Sequence, residues 1–241
     1  MVWMMVGCAA RRPRSDVPVA KNLSVTSPAP EPLTIVWSCS LSLPDGSAGR
    51  EVTKIRPHSA GVSLHTRSSL GYRNGTGIDQ VDQMDLDYRE EADNWGRVVS
   101  IALTRTVRGA VDMRYTLTRQ GEGSYDFTIN GRLERRGRFR PNDARGLPSS
   151  FAVRAMIKYE LLPGRTPELA VEMFDPFLSA ESPTVARYRL EVPGTRRVLF
   201  ASGDKVSHQV FDEKGELVSS QAELTGGEIL TSRCSTSIEP G

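Results

Sequence analysis

The chain has 241 residues, of which 38% are hydrophobic and 25% charged, and its formal net charge is +2. This is the balance of an ordinary globular protein, and the length is sufficient for one well-packed domain. The small net charge and the 7% aromatic content argue against a nucleic acid partner, and no run of about 18 apolar residues predicts a transmembrane helix.

The residues Met5-Val6-Gly7-Cys8, followed by Ala9-Ala10, resemble the lipobox of bacterial lipoproteins. In that family the cysteine after a small residue is lipidated and becomes the new N-terminus. The resemblance implies a signal peptide over residues 1–8, a palmitate-type acyl anchor on Cys8 and attachment to a membrane of the cell envelope. Since Ala9 is not the Asp that retains lipoproteins at the inner membrane, it implies outer-membrane placement.

The segment before Cys8 departs from a complete signal peptide. Such a peptide needs a basic region and an apolar region of roughly 7–15 residues, and Met1–Gly7 contains no Lys or Arg. Either the true start lies upstream, or the export interpretation is wrong and Cys8 belongs to a frayed terminus.

Residues 9–32 predict a tether. They read AARRPRSDVPVAKNLSVTSPAPEP, which is rich in Pro, Ser and Ala and has no sustained hydrophobic period. Such a segment is typical of a disordered or extended linker. The remaining residues, 33–238, are expected to form a single β-rich domain.

Residues 33–238 are dominated by alternating apolar and polar positions, the period of a half-buried strand. In one predicted strand Met84, Leu86 and Tyr88 share a face and the residues between them are charged. Further strands are predicted at 33–43, 62–66, 98–107, 113–118, 125–129, 169–174, 185–192, 197–201, 206–211, 217–224 and 228–235. Short turns such as Pro44-Asp45-Gly46 and Asn74-Gly75 separate them, which favours an antiparallel meander.

One segment breaks the strand pattern and predicts a helix over about residues 149–162. Ser149 or Ser150 can cap its start, and Pro163-Gly164 ends it. Its apolar stripe needs a partner, so the helix is expected to cover a face of the sheet. Apolar residues recur there at a spacing of three and four, and they include Phe151, Ala152, Ala155, Met156, Tyr159 and Leu162.

The predicted fold class is therefore mainly β, a β-rich α+β arrangement. The order of a meander, one helix and a further set of strands resembles the curved half-barrel sheets of periplasmic lipoprotein-handling proteins of the LolA/LolB kind, and related bacterial domains of unknown function. The similarity covers residues 145–235 best. It implies a curved antiparallel sheet with the helix over its hollow, suited to an acyl chain or a hydrophobic peptide. The candidate pocket residues are then Phe151, Ala155, Met156, Tyr159 and Leu162.

The three cysteines suggest a disulfide. If Cys8 carries lipid, Cys39 and Cys234 remain as a pair, as an oxidising compartment favours. Both lie in predicted strands, so a bridge would tie the first strand of the domain to the last. Two separate buried thiols are the alternative.

The sequence contains no motif that assigns a catalytic role to a residue. Ser202-Gly203-Asp204-Lys205 has the spacing of acyl-serine enzymes, but it reads as a turn between two strands. His58, His65 and His208 lack metal-ligand spacing, so neither a metal nor a cofactor is predicted.

Two clusters of charge are interpreted as solvated surface. The acidic one could suit calcium, but part of it lies on the polar face of a strand. The basic one could meet anionic lipid or a partner, or protect an edge strand. The acidic residues are Asp79, Asp82, Asp85, Asp87, Glu90, Glu91 and Asp93; the basic ones are Arg132, Arg135, Arg136, Arg138 and Arg140.

Three functions remain open. The preferred one is a non-enzymatic, membrane-anchored lipoprotein whose β domain binds a hydrophobic ligand, such as a lipid acyl chain, or an envelope protein. It predicts a continuous apolar pocket under the helix. The second is a structural or assembly protein of the envelope without a ligand. The third is an enzyme, such as a hydrolase, whose site is assembled only in three dimensions.

Overall fold

The structure, a computed structural model, describes residues 33–73, 81–131, 134–173, 183–224 and 227–240. Within these residues the chain forms one 14-stranded sheet, one 3-10 turn (Gly121–Gly123) and one longer helical segment. The strands are β1 (Leu33–Ser42), β2 (Ala48–His58), β3 (Gly61–Arg73), β4 (Val81–Asp93), β5 (Val98–Val107), β6 (Ala110–Arg119), β7 (Tyr125–Gly131), β8 (Arg135–Phe139), β9 (Glu168–Met173), β10 (Thr184–Leu190), β11 (Arg197–Ser202), β12 (Lys205–Phe211), β13 (Leu217–Glu223) and β14 (Ile229–Pro240). The helix α1 (Ser150–Met156) follows β8 and continues into a π-helical turn (Ile157–Leu161).

The sheet consists of two antiparallel meanders joined along β1 and β14. Its order is β8-β7-β6-β5-β4-β3-β2-β1-β14-β13-β12-β11-β10-β9. We call β1 to β8 the N-terminal meander and β9 to β14 the C-terminal meander. The first strand therefore pairs with the last, from Leu33 opposite Pro240 to Ser42 opposite Thr231. The sheet is curved and does not close, and β8 and β9 are its edges. The predicted fold class is confirmed.

The N-terminal meander builds a core from its own strands. Alternate residues of β5, β6 and β7 point to the inner face, the side on which α1 packs, as the apolar and polar alternation predicts. Leu147, from the segment between β8 and α1, is the only contributor to the buried cluster from outside these strands. The members are Val98, Ile101, Leu103, Met113, Tyr115, Leu117, Tyr125, Phe127, Ile129 and Leu147.

The core of the C-terminal meander includes the helical segment. Val153, Ile157 and Leu161 are spaced by four, so they share one face of the helix, and all three are buried against the inner face of β9 to β12. Their partners are Leu169, Val171, Ala186, Tyr188, Val198 and Phe211. The helix thus supplies a third of the buried side chains of this cluster.

The helix begins as its sequence predicts. Ser149 is the N-cap, and its Oγ accepts a hydrogen bond from the Ala152 backbone N at 3.1 Å. The second half differs from the predicted regular helix, because residues 157–161 form a π-turn in which Leu162 N bonds to Ile157 O. One extra residue in this turn changes the direction of the side chains after it. Gly164, with a φ of +72°, then ends the segment.

Cys39 and Cys234 form a disulfide, as predicted. The two residues lie directly opposite each other on β1 and β14, with a Cα–Cα distance of 4.0 Å. The bond therefore crosses the pair of strands that joins the two meanders. The alternative of two separate buried thiols is wrong.

The strand prediction missed β2. Only Thr53 and Ile55 are fully buried in this strand, and the charged residues around them, together with Pro57, obscure the alternation. The last strand, β14, runs to Pro240, whereas the sequence predicted that it ends at residue 235. The predicted signal segment 1–8 with Cys8, the tether 9–32 and the Asn74-Gly75 turn lie outside the described residues.

Candidate functional site

The helical segment lies on the inner face of the sheet and is flanked by two cavities. The first, the Glu90 cavity, has a volume of about 230 Å³. The second, the Tyr159 cavity, has a volume of about 200 Å³. Arg154, Phe211 and Leu217 line both, so the two cavities are neighbours separated by these side chains. The predicted pocket under the helix is thus present as two compartments rather than as one continuous space.

Three of the five predicted pocket residues line a cavity. Phe151, Ala155 and Tyr159 line the Tyr159 cavity together with Trp37 of β1. Tyr159 is the most open of them, with 60% of its surface exposed. Met156 and Leu162 instead pack against the core of the C-terminal meander. The predicted stripe is therefore not the face that packs on the sheet. That face is formed by Val153, Ile157 and Leu161, and the predicted residues lie beside it and remain partly exposed.

Both cavities have largely apolar walls with a few polar groups. The Glu90 cavity is lined by Tyr88, Glu90, Val98, Ile101, Leu147, Pro148, Ser150, Val153, Arg154, Ile157, Met173, Tyr188, Gln209, Phe211 and Leu217. The Tyr159 cavity is lined by Ile35, Trp37, Phe151, Arg154, Ala155, Lys158, Tyr159, Phe211, Gly215, Glu216 and Leu217. Apolar walls with a small number of placed polar groups are typical of small-molecule sites.

Glu90 of β4 holds the start of the helix. Its Oε1 accepts a hydrogen bond from Ser150 N at 2.8 Å, and its Oε2 accepts from Ser150 Oγ at 2.7 Å and from Tyr88 OH at 2.5 Å. The residue is only 3% exposed, and burial raises the pKa of its carboxyl group. All of these bonds satisfy the backbone or neighbouring side chains, so Glu90 is an anchor of α1 rather than an unengaged acid.

Arg154 is the cation between the two cavities. Its guanidinium lies 3.6 Å from the centre of the Trp37 ring, a cation–π contact. Burial lowers its pKa to about 10, and the charges of Glu51 and Glu216 act in the opposite direction. Within the described part of the chain, Arg154 makes no hydrogen bond or ion pair through its side chain.

The indole N–H group of Trp37, the residue that contacts Arg154, makes no hydrogen bond to a described residue. The residue is 8% exposed, and its Nε1 has no hydrogen-bond partner among the described residues. Leaving a buried donor unpaired costs roughly 1–3 kcal/mol. Among the described residues, a cation without an ion-pair partner thus lies against an indole whose N–H group has no hydrogen-bond partner.

The turn between β12 and β13 packs against the helical segment at Lys158. Lys158 Nζ donates to Glu216 Oε1 at 2.7 Å, and this bond raises the pKa of Lys158. A Cβ on Gly215 would lie 2.8 Å from Cγ of Lys158, so the turn approaches the helix closely because residue 215 is glycine. Glu216 is thereby engaged by Lys158 rather than by Arg154.

The histidines lie on the outer face, away from both cavities. His65 Nε2 lies 3.2 Å from Asp87, His58 lies 3.5 Å from Glu91, and His208 lies 2.5 Å from Glu191. In the described ranges no group of His, Cys, Asp and Glu residues could hold a metal ion. Ser202 and Lys205 face each other across a tight turn between β11 and β12, as the sequence predicts.

The charged clusters have the positions expected of solvated surface, except for Glu90. Its assignment to a solvated face is wrong, because the residue is buried and holds the start of the helix. Asp85, Asp87 and Glu91 lie on the outer face of β4, opposite residues of β3 and β5. Arg135, Arg136 and Arg138 lie in β8, which is an edge strand. Charge on an edge discourages pairing with another chain, so this interpretation of the arginines agrees with the sheet order. The side chains of Asp79, Asp82 and Arg132 lie outside the described residues.

Trp37, Glu90 and Arg154 were missed by sequence reasoning. One signal was available for Arg154, because it falls three residues after Phe151 and four before Lys158. It therefore interrupts the stripe that packs on the sheet with a charge. Nothing in the sequence near Trp37 or Glu90 connects them to the helix.

Comparisons with known proteins give the fold alone. No family model and no curated protein matches this chain. Among solved structures, a β-barrel-like protein with the domain of unknown function DUF1849 from Brucella abortus is similar over 87% of this chain and 98% of its own, with a TM-score of 0.61 and 10% identity. The two chains share this β-barrel-like fold.

Two further structures have low similarity. A porin-like protein from Bacteroides uniformis aligns over 84% of this chain and 96% of its own, with 9% identity and a TM-score of 0.22. A viral glycoprotein aligns over 84% and 91%, with 9% identity and a TM-score of 0.21. At these TM-scores neither supports an argument about this chain. Among the described residues no helix is both long and apolar enough to cross a membrane.

Proposed function

We propose that the protein is a non-catalytic binding protein of the bacterial envelope, which takes a hydrophobic ligand beside the helix on the inner face of its sheet. The observation that carries the proposal is the pair of cavities along the helical segment, of about 230 and 200 Å³. Their apolar walls would gain free energy by covering apolar surface of a ligand. The resemblance to LolA/LolB-like half-barrels, whose hollows suit acyl chains, agrees with this function.

A non-catalytic role is favoured by the polar groups of the cavities. Glu90 is the one carboxylate of the described residues that lines the Glu90 cavity, and Ser150 and Tyr88 saturate it. No described histidine lines either cavity. A general base needs an acceptor within reach of a substrate proton, and Glu90 is already engaged with the helix.

The proposal includes a lipid anchor on Cys8. Residues 9–32 would then act as a tether between the membrane and the sheet, and the disulfide agrees with an oxidising compartment such as the periplasm. Replacing Cys8 by Ser should release the protein from the membrane fraction. Intact mass after purification from membranes should correspond to a chain that begins at Cys8 with added acyl groups. Unchanged membrane association of the variant would contradict the anchor.

Ligand binding can be tested with the apolar fluorescent probe N-phenyl-1-naphthylamine. The protein should enhance its fluorescence saturably, and Ala155→Phe, which fills the Tyr159 cavity, should reduce this binding. Ala170→Phe is the matched control, because Ala170 is exposed on β9. Absence of saturable binding in the unmodified protein would favour a structural or assembly role in the envelope instead.

A further inference from the structure

We infer that the ligand is a single-chain amphiphile with an anionic headgroup, a carboxylate or a phosphate, and that Arg154 recognises this headgroup between the two cavities. The inference rests on the proposed function, since it requires that the cavities take a ligand. It adds the chemical class of that ligand and names the residue that selects it.

The orientation of Arg154 leaves its donors available. A guanidinium carries its five N–H donors in its plane. Trp37 contacts the guanidinium from its face, at 3.6 Å from the ring centre, so this contact uses none of the donors. Because no described residue accepts from Arg154, the fork remains free to bind two oxygens of a carboxylate or phosphate.

Neighbouring carboxylates do not neutralise Arg154 by direct contact. Glu216 accepts from Lys158 at 2.7 Å. Glu51 of β2 influences Arg154 from beyond ion-pair distance. A largely desolvated cation without an ion-pair partner is costly, and an anionic headgroup would supply that partner.

Trp37 provides a second donor at the same wall. Its buried Nε1 has no partner among the described residues, and the residue lines the Tyr159 cavity with Arg154. An acceptor oxygen that entered this cavity could pair with Arg154. A neutral apolar ligand would leave Arg154 without an ion-pair partner, so the site should discriminate against it.

The size of the cavities favours one chain over two. Each is smaller than the roughly 300–1,000 Å³ that is typical of sites for drug-sized ligands. They meet at Arg154, Phe211 and Leu217. One compartment can hold part of a single acyl chain whose headgroup lies at Arg154, whereas the two chains of a phospholipid far exceed this volume.

The test compares ligands that share a chain and differ in the headgroup. Dissociation constants of dodecanoate, 1-dodecanol and lauroyl lysophosphatidate are measured below their micelle concentrations, for the full chain and for Arg154→Met. We expect the unmodified protein to prefer the two anions over the alcohol by about 10- to 100-fold, the range for hydrogen bonds to a charged group. Arg154→Met should lose this preference and retain the affinity for dodecanol.

Two control variants separate the role of the Arg154 fork from the loss of a positive charge. Arg136→Met removes an exposed arginine of β8 and should leave the preference unchanged. Arg154→Lys keeps the charge but loses the fork, so it should retain only part of the preference. Thermal melting of each variant checks folding. Arg154→Met also removes a charge that acts on Glu51, so Arg154→Lys, which keeps that charge, carries the headgroup test if the methionine variant does not fold.

The outcomes separate this inference from the proposed function. Equal affinity of the unmodified protein for dodecanoate and dodecanol, or an unchanged preference in Arg154→Met, would overturn the headgroup assignment and leave the apolar site in place. Failure of all three ligands to bind would overturn both. The order of the two anions distinguishes the source, since tighter lysophosphatidate binding identifies a lipid phosphate and tighter dodecanoate binding identifies a fatty acid.

Discussion

The N-terminal and C-terminal meanders are built alike but are stabilised differently. Most N-terminal strands are 10–13 residues long, as in β3 (Gly61–Arg73), and their core cluster comes almost wholly from the strands themselves. The C-terminal strands β9 to β13 have only six or seven residues. Their core includes Val153, Ile157 and Leu161 of the helical segment. A meander of short strands thus depends on the helix to complete its core.

The largest expected effect is on the C-terminal core. Leu161 is fully buried among side chains of the C-terminal meander. Leu161→Ala should reduce the free energy of unfolding by about 2–5 kcal/mol, through lost burial and the cavity that remains. Urea denaturation measures this loss, and native-state hydrogen exchange should show β9 to β12 opening before the rest of the sheet.

Leu117→Ala is the matched control for this comparison. Leu117 is also fully buried, but it belongs to the core of the N-terminal meander. Its loss should cost a similar amount while leaving exchange in β9 to β12 unaffected. If Leu161→Ala instead accelerated exchange evenly through both meanders, the dependence of the short strands on the helix would be wrong.

The disulfide joins the two meanders and should have an effect of comparable size. Cys39 and Cys234 are separated by 195 positions in sequence, and the chain-entropy model gives about 5 kcal/mol for so long a loop, often less in practice. Reduction should therefore lower the melting temperature, and the paired variant Cys39→Ala/Cys234→Ala should melt at the same temperature with or without reductant. An unchanged midpoint after confirmed reduction and alkylation would contradict this contribution.

The helix cap should have a smaller effect. Ser149→Ala removes the acceptor for Ala152 N and should cost about 1 kcal/mol in the free energy of unfolding. Because the helix packs on the C-terminal meander, this meander should be destabilised most. Native-state hydrogen exchange should then be faster in α1 and β9 to β12. Urea denaturation with no measurable change would show that the start of the helix is held by Glu90 alone.

The smallest effect is a pH dependence from Glu90. Burial raises the folded-state pKa of this carboxyl above its ordinary value of 4.5. The contribution of Glu90 to the free energy of unfolding is therefore fully present below about pH 4.5 and is lost as the pH rises through the folded-state pKa. Relative to the unmodified protein, Glu90→Gln should gain stability as the pH is raised from 4 to 8. Urea midpoints over this range measure the difference, and parallel curves would contradict the assignment.

The sequence was informative where local pattern decides structure. The alternation around Met84, Leu86 and Tyr88 correctly predicted β4, and Ser149 correctly marked the start of α1. These features depend on the residues near them in the chain. β2 was missed because its charged outer face and Pro57 hide a buried face of few residues.

The candidate site was less predictable, because it is assembled from distant elements. Trp37, Glu90 and Arg154 come from β1, β4 and α1 and meet only because β1 lies in the middle of the sheet and the helix crosses its inner face. No spacing in the sequence encodes that meeting. The π-turn is a second reason, since it moves Leu162 away from the stripe that a regular helix would form.

The pairing of the first strand with the last has a topological consequence. Because Leu33 lies opposite Pro240, a short peptide could connect them and turn the sheet into an uninterrupted series of hairpins. New termini could then be opened between the helical segment and β9, so that the strands from β9 to β8 follow one another in sheet order and the helical segment ends the permuted chain. In that permutant the Cys39–Cys234 bond would close only a short hairpin, so its entropic contribution would fall. The sheet itself would keep every strand neighbour that it has now.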